Sequence, residues 1–265
     1  MGTTLKGKVA IITGGGKGIG KGIALKFAQE GAKVCIGCNS NSGMALETLK
    51  ELQQYTEAIC VQADVGTEEG CQKLVDETVK AFGGIDIYVN NAAMQTQYSL
   101  LEQREMDNFD LELTVNVRAC MLMFQKVLPY LKKSGHGRII VITSVHGKRP
   151  FVGDACYAIS KSCLKMLYRE AAVEFAQYGI TVNAIAPGGV KIEFKTAAGG
   201  KAGPDENRVA HNARIKVDRS GKKRMFGFPG YPKDIAEMAA FIAGFETEYM
   251  TGATFRLDGG NCLMI

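Results

Sequence analysis

Short runs in which nearly every residue is apolar alternate along this chain with longer stretches that are apolar on one side only. The runs are Val9–Ile12, Val34–Cys38, Ala58–Val61, Ile85–Val89, Ile139–Ile142, Thr181–Ile185 and Thr254–Leu257. Their length suits strands, and near-continuous apolarity marks strands covered on both faces. Between them, segments near 19–30, 43–54, 68–82, 105–133, 155–178 and 233–243 place apolar residues at helical spacing. Strand-helix alternation of this kind predicts right-handed crossovers and a seven-stranded parallel sheet with helices on both faces, the doubly wound Rossmann class of α/β fold. Residues 1–265 read as one domain, because one large core is the simplest use of a chain this long. Only 191–227 shows no clear period, and a loop of that length is usually a lid, a binding loop or disordered.

Composition narrows the picture. The apolar runs are too short to span a bilayer, and no signal-peptide pattern precedes the first strand, so the reading is cytoplasmic with no membrane partner. The eight cysteines fall mostly in strand and helix patterns, which fits free thiols in a reducing compartment. Cys35-x-x-Cys38 has no second pair near it and reads as buried small residues, so no metal site is expected. The net charge of +5 is local: residues 191–227 hold ten basic and four acidic groups, leaving the rest of the chain at −1. A basic excess confined to one loop, without a recognisable nucleic-acid module, argues against DNA or RNA as a partner.

The first strand leads through Thr13-Gly14-Gly15-Gly16-Lys17-Gly18-Ile19-Gly20 into the first helix. Glycines there permit a sharp turn and close backbone approach to a pyrophosphate, and the helix start supplies N–H donors. Dinucleotide sites that take NAD usually carry an acidic residue at the end of the second strand. That position reads Cys38-Asn39-Ser40, with no carboxylate to repel a 2′-phosphate. Asn39 and Ser40 can donate to such a phosphate and Lys17 can reach it, so NADP(H) is expected over NAD(H). Solvent exposure of Lys17 at a turn is the competing reading.

A second constellation lies further on. The strand Ile139–Ile142 ends in Thr143-Ser144, and thirteen residues after the serine Tyr157-Ala-Ile-Ser-Lys161 opens a helix. Spacing of i, i+4 puts phenol and ammonium on one face. A cation about 4 Å from a phenol, worth around 4 kcal/mol at an effective dielectric near 20, is expected to lower its pKa before the cost of burial. Ser144 can then hold a reacting oxygen while Tyr157 exchanges its proton.

In order and spacing, Thr13-Gly14-x-x-x-Gly18-x-Gly20, Asp64, Asn90-Asn91-Ala92, Asn116, Ser144, Tyr157-x-x-x-Lys161 and Pro187-Gly188 resemble the short-chain dehydrogenases/reductases. The likeness runs to Thr251-Gly252 and Asp258-Gly259-Gly260. It implies hydride transfer between nicotinamide and an alcohol or carbonyl carbon, with Tyr157 as general acid/base and Lys161 tuning it while binding the nicotinamide ribose. It further implies that Ser144 orients the substrate oxygen and that Asn116 holds a water in the proton relay. Gly14, Gly16, Lys17, Gly18, Ile19 and Gly20 would cradle the dinucleotide. Asp64 and Val65 would meet its adenine, Asn91 and Ala92 the ribose side, and Pro187, Gly188 and Val190 the nicotinamide. A homo-oligomer, dimer or tetramer, is implied as well. Two departures stand out: Ala93 replaces the glycine of Asn-Asn-Ala-Gly, and Ile192 replaces a threonine that often bonds the carboxamide. That contact is left to the backbone or to Thr196.

The run Ser144-Val-His146-Gly-Lys148-Arg149 is similar to bacterial glucose 1-dehydrogenases and related sugar and polyol oxidoreductases. His146 would face the substrate beside Ser144, Tyr157 and Gly188, or be satisfied by its own loop. The basic 191–227 loop suggests an anionic small molecule such as a sugar acid, or serves only solubility. Phe226 and Phe228 would wall the pocket or pack between subunits. Hydroxysteroid or aromatic ketone reduction, and a catalytically silent cofactor-binding regulator, remain as alternatives.

Overall fold

A computed structural model describes residues 5–40, 43–96, 98–192, 194–195, 201–202, 229–244 and 248–263. Seven parallel strands form one sheet in the order β3-β2-β1-β4-β5-β6-β9. They are β1 (Val9–Thr13), β2 (Lys33–Cys38), β3 (Ala58–Gln62), β4 (Ile87–Asn90), β5 (Arg138–Ile142), β6 (Thr181–Pro187) and β9 (Thr254–Leu257). All seven expected strands are present. A two-residue antiparallel pair, β7 (Phe194–Lys195) and β8 (Lys201–Ala202), was not anticipated. Most of the 191–227 loop lies outside the described residues.

Alternation along each strand splits the core into two layers. Ile11, Tyr88, Ile139 and Val141 face α3 (Glu68–Phe82), α5 (Ala119–Ser134) and α6 (Ala155–Phe175). Ala10, Ile12, Ile36, Val89 and Ile140 face the other layer, built on α1 (Gly18–Gln29) and α7 (Pro232–Ala243). These strand residues are essentially inaccessible to water. Each large aliphatic among them contributes roughly 1.5–3 kcal/mol by burial, which fixes the register as well as the stability. Local signals agree with the packing. Thr67 caps α3 by accepting from Gly70 N at 3.0 Å, Glu68 and Glu69 occupy its first turn, and Gly83 ends it at φ 84°.

One helix departs from expectation. The pattern over 105–133 predicts a continuous helix, but the chain forms α4 (Met106–Leu113), a π turn at Thr114–Arg118, and then α5. The extra residue in the ladder re-aims the side chains around Asn116. α2 (Gly43–Leu52) completes the helices, and 155–178 divides into α6 and a short 3-10 turn at Ala176–Tyr178. Strand order reverses between β1 and β4, so the crevice at their carboxyl ends is where a ligand is expected.

Candidate active site

A cavity of about 900 Å³ runs along the carboxyl ends of the strands, from Cys38 at the end of β2 to Pro187 at the end of β6. The glycine turn forms one wall. Gly14 has φ +64°, a conformation that disfavours a side chain, and a Cβ on Gly20 would stand 2.3 Å from the Gly14 carbonyl oxygen. Gly20 therefore stays out of the cavity wall and lets α1 close on the turn, while Gly14, Gly16, Lys17, Gly18 and Ile19 line it. Asn91 fastens β4 to the same turn, its amide donating to the carbonyls of Thr13 at 2.8 Å and Gly14 at 3.2 Å. The Thr13 hydroxyl accepts from the Asn91 and Ala92 backbone at 3.0 and 3.1 Å. This turn offers the open backbone cradle that a pyrophosphate needs, so the residues fit a dinucleotide.

Asn39 and Ser40 are exposed at the far end, and Asp64 and Val65 lie beside them on the wall. Pro187, Gly188 and Val190 form the opposite end, with Gly188 N donating to the Leu257 carbonyl at 2.8 Å. Ile192 packs over Gly18, its Cδ1 only 3.2 Å from where a Cβ would be, so this departure puts an apolar cover on the turn. Thr196 lies outside the described residues.

Ser144, Tyr157 and Lys161 meet in the cavity between these ends. β5 delivers Ser144, whose hydroxyl accepts from His146 N at 3.2 Å at the start of a 3-10 turn. Gly147 allows that turn to sit on α6, since a Cβ there would meet the Lys161 carbonyl at 2.9 Å. Lys161 is buried, with Nζ donating to the Ile142 carbonyl at 2.9 Å and 5.4 Å from the Tyr157 ring centroid. Burial holds its amine down at about 8. The anticipated lowering of the Tyr157 phenol is reversed. Burial pushes it up to about 12, the Asp154 carboxylate adds to the rise, and a hydrogen bond with Ser144 works against it. Lys161 is turned to the Ile142 carbonyl, and desolvation sets the direction for the phenol.

Asn116 lies on the π turn. It is buried outside the cavity wall, and its amide bonds Met94 through both Met94 N (2.7 Å) and Met94 O (2.8 Å), and donates to Ser160 Oγ at 2.9 Å. Its side chain thus pins the Met94 segment against α6.

Around Tyr157 the cavity is backed by residues the sequence did not single out. His146 Nδ1 bonds the buried Asp154 carboxylate, whose other oxygen accepts from the Gln95 amide. The imidazole stacks on Phe151, with centroids 5.5 Å apart and planes 8° from parallel, and meets the Tyr157 ring edge-on at 6.1 Å. Glu112, also buried, accepts from Thr96 N and Oγ1 at 2.9 and 2.7 Å. Asp154 carries a signal only in hindsight, as an acid just before the helix that bears the tyrosine.

A deep crevice at the strand-order switch, with a glycine cradle at one end and a serine, tyrosine and lysine beyond it, belongs to the dinucleotide-dependent oxidoreductases. A family model for short chain dehydrogenase matches residues 8–202, and the chain belongs to that family of NAD(P)-dependent oxidoreductases acting on CH–OH groups. It is 34% identical to glucose 1-dehydrogenase 2 of Bacillus subtilis, over 98% of this chain and 96% of that protein. It is 33% identical to 3beta-hydroxysteroid dehydrogenase 1 of Eggerthella lenta, over 98% and 95% of the two chains. A short chain dehydrogenase from Burkholderia cenocepacia, solved in complex with NADP, superposes with a TM-score of 0.84 at 31% identity, covering 97% of this chain and 99% of that one.

Proposed function

We propose that this protein transfers a hydride between NADP(H) and a secondary alcohol or carbonyl carbon of a sugar, polyol or sugar acid. The observation that carries this is the convergence of Ser144, Tyr157 and Lys161 in the same cavity that the glycine turn walls. The dinucleotide, when bound, supplies or receives the hydride. Gly14, Gly16, Lys17, Gly18 and Ile19 would hold its pyrophosphate, with Gly20 allowing the close approach. Asp64, Val65, Asn91 and Ala92 would hold its adenosine side, and Pro187, Gly188 and Val190 its nicotinamide side. Tyr157 gives the substrate oxygen its proton or takes it, Ser144 orients that oxygen, and Lys161 holds the nicotinamide ribose and resupplies the proton.

Preference for NADP rests on the end of β2, where Asn39 and Ser40 are exposed and Lys17 lines the same cavity without an acidic neighbour at Cys38. An anionic substrate draws support from the basic charge of 191–227, whose described flanks lie at the cavity. These flanks are stitched together by Lys191 N to Gly230 O and Gly230 N to Gly189 O, both 2.8 Å, and Val190, Lys191 and Pro229 border the cavity. Ile159, Met166 and Val173 form an exposed apolar row along α6, with Met121 exposed on α5, surface suited to a homo-oligomer. All eight cysteines are free, in keeping with the cytoplasm. Among the described residues no helix is long and apolar enough to cross a membrane.

The test is reduction of NADP+ and of NAD+ by the purified protein with sugars, polyols, sugar acids and hydroxysteroids. Faster turnover of polyhydroxylated substrates with NADP+ is expected. Turnover confined to hydroxysteroids would overturn the substrate class, and better kcat/KM with NAD+ would overturn the cofactor preference.

A further inference from the structure

The reading of this cavity as an oxidoreductase site for hydroxylated substrates leaves one group unexplained. His146 lines the cavity, yet its Nδ1 is turned away from it, onto an Asp154 that is only 1% exposed and does not line the wall. The aspartate is itself held, because Gln95 Nε2 donates to Oδ1 while His146 takes Oδ2. The ring is clamped by the face of Phe151 and the edge of Tyr157. The bond to the Asp154 carboxylate selects the tautomer, and the ring contacts hold its orientation. An ionised carboxylate only accepts, so Nδ1 carries the hydrogen, and in the neutral imidazole Nε2 is left as an acceptor on the cavity side.

We propose that His146 Nε2 accepts a hydrogen bond from a second hydroxyl of the substrate, on the carbon next to the one that reacts, and that Asp154 is the positioning residue that makes it an acceptor. The preferred substrates are therefore vicinal diols or the corresponding α-hydroxy carbonyls, a narrowing that rests on the function proposed above. The placement suits them. The rings of His146 and Tyr157 border the same cavity with centroids 6.1 Å apart, so one small substrate can reach both side chains. One oxygen meets Tyr157 and Ser144, and the other meets His146. A hydroxyl donates to Nε2, whereas an ether oxygen at the same position has no hydrogen to give and leaves a polar group unpaired.

The design can be inverted without changing its shape. In Asp154→Asn the side-chain oxygen keeps the Gln95 amide and the new NH₂ faces His146 Nδ1. The hydrogen then moves to Nε2, and the histidine becomes a donor toward the cavity.

The experiment measures kcat/KM with NADP+ for a vicinal cyclohexanediol, its mono-methyl ether and cyclohexanol, in the wild type, Asp154→Asn and His146→Phe. The wild type should favour the diol over both others by about tenfold. Asp154→Asn should shrink the diol-to-ether ratio by about tenfold, toward parity or reversal, and His146→Phe should remove the diol-to-cyclohexanol preference. His146→Gln reads the same ratio should the Phe variant fail to fold. A merely structural role for Asp154 would lower all three substrates by one factor with the ratios unchanged, and that result overturns the proposal. Equal use of the three compounds by the wild type overturns it too, while leaving the oxidoreductase reading intact if sugars are turned over. Turnover of steroids alone overturns both.

Discussion

The glycine turn and the wall formed by Gln95 and His146, with Asp154 buried behind it, belong to the same cavity but are made of different material. The turn works through its backbone: Gly14 adopts φ +64°, and Gly20 keeps the space beside the Gly14 carbonyl empty. Its chemistry is the chain's own N–H groups, common to any residue that can take the shape. The wall works through side chains from three separate segments, joined at Asp154. On the function proposed above, cofactor binding would rest mainly on backbone conformation, and substrate choice on side-chain contacts. The two should therefore respond independently to mutation.

The largest effect is expected at the boundary between them. Tyr157→Phe should lower kcat by about a thousandfold, since a positioned acid/base contributes 10²–10⁴-fold. Steady-state rates above a tenth of wild type would remove Tyr157 from that role. Lys161→Met should also slow turnover, and it carries a stability signature. The amine sits at about 8 in the folded protein against an ordinary 10.5, so the unfolded chain binds the proton more tightly. The wild type should thus gain stability relative to Lys161→Met as pH rises from 8 to 10.5, by at most on the order of 3 kcal/mol. A pH-independent difference in denaturation midpoints would show that the lysine is not held in this way.

Gly20→Ala should damage the cofactor region specifically. A methyl 2.3 Å from the Gly14 oxygen forces backbone apart, at a cost of about 1–3 kcal/mol in stability. Dinucleotide affinity should fall with it, and unaltered melting and binding would mean the turn is looser than its geometry. The smallest effect is at the adenosine end, where Cys38→Asp should swing the NADP-to-NAD ratio of kcat/KM by about tenfold, roughly 1.4 kcal/mol. No swing would place the 2′-phosphate away from β2.

The sequence carried the turn and the strands plainly, because glycines and continuous apolar runs act locally. It carried the tyrosine and lysine as well, since a single helix sets their spacing. Asn116 was legible as a residue but not as a geometry. Nothing in the apolar pattern marks the π turn that directs its amide to Met94 and Ser160. The direction of the Tyr157 pKa is hidden for a similar reason: helical spacing gives the distance to Lys161, but desolvation and the Asp154 charge depend on how the cavity closes. Asp154 itself escaped notice because its partners, eight residues and fifty-nine residues away, meet it only in the folded chain.

Independence of the two regions is tested most directly by titrating NADP+ into the wild type, Tyr157→Phe, Asp154→Asn and Gly20→Ala proteins by calorimetry. The Tyr157 and Asp154 variants should bind with Kd within about threefold of wild type, a difference under roughly 0.7 kcal/mol, while Gly20→Ala loses at least tenfold. A Tyr157→Phe or Asp154→Asn protein that loses as much affinity as Gly20→Ala would show one coupled site, and would contradict the division between a backbone-built cofactor cradle and a side-chain-built substrate wall.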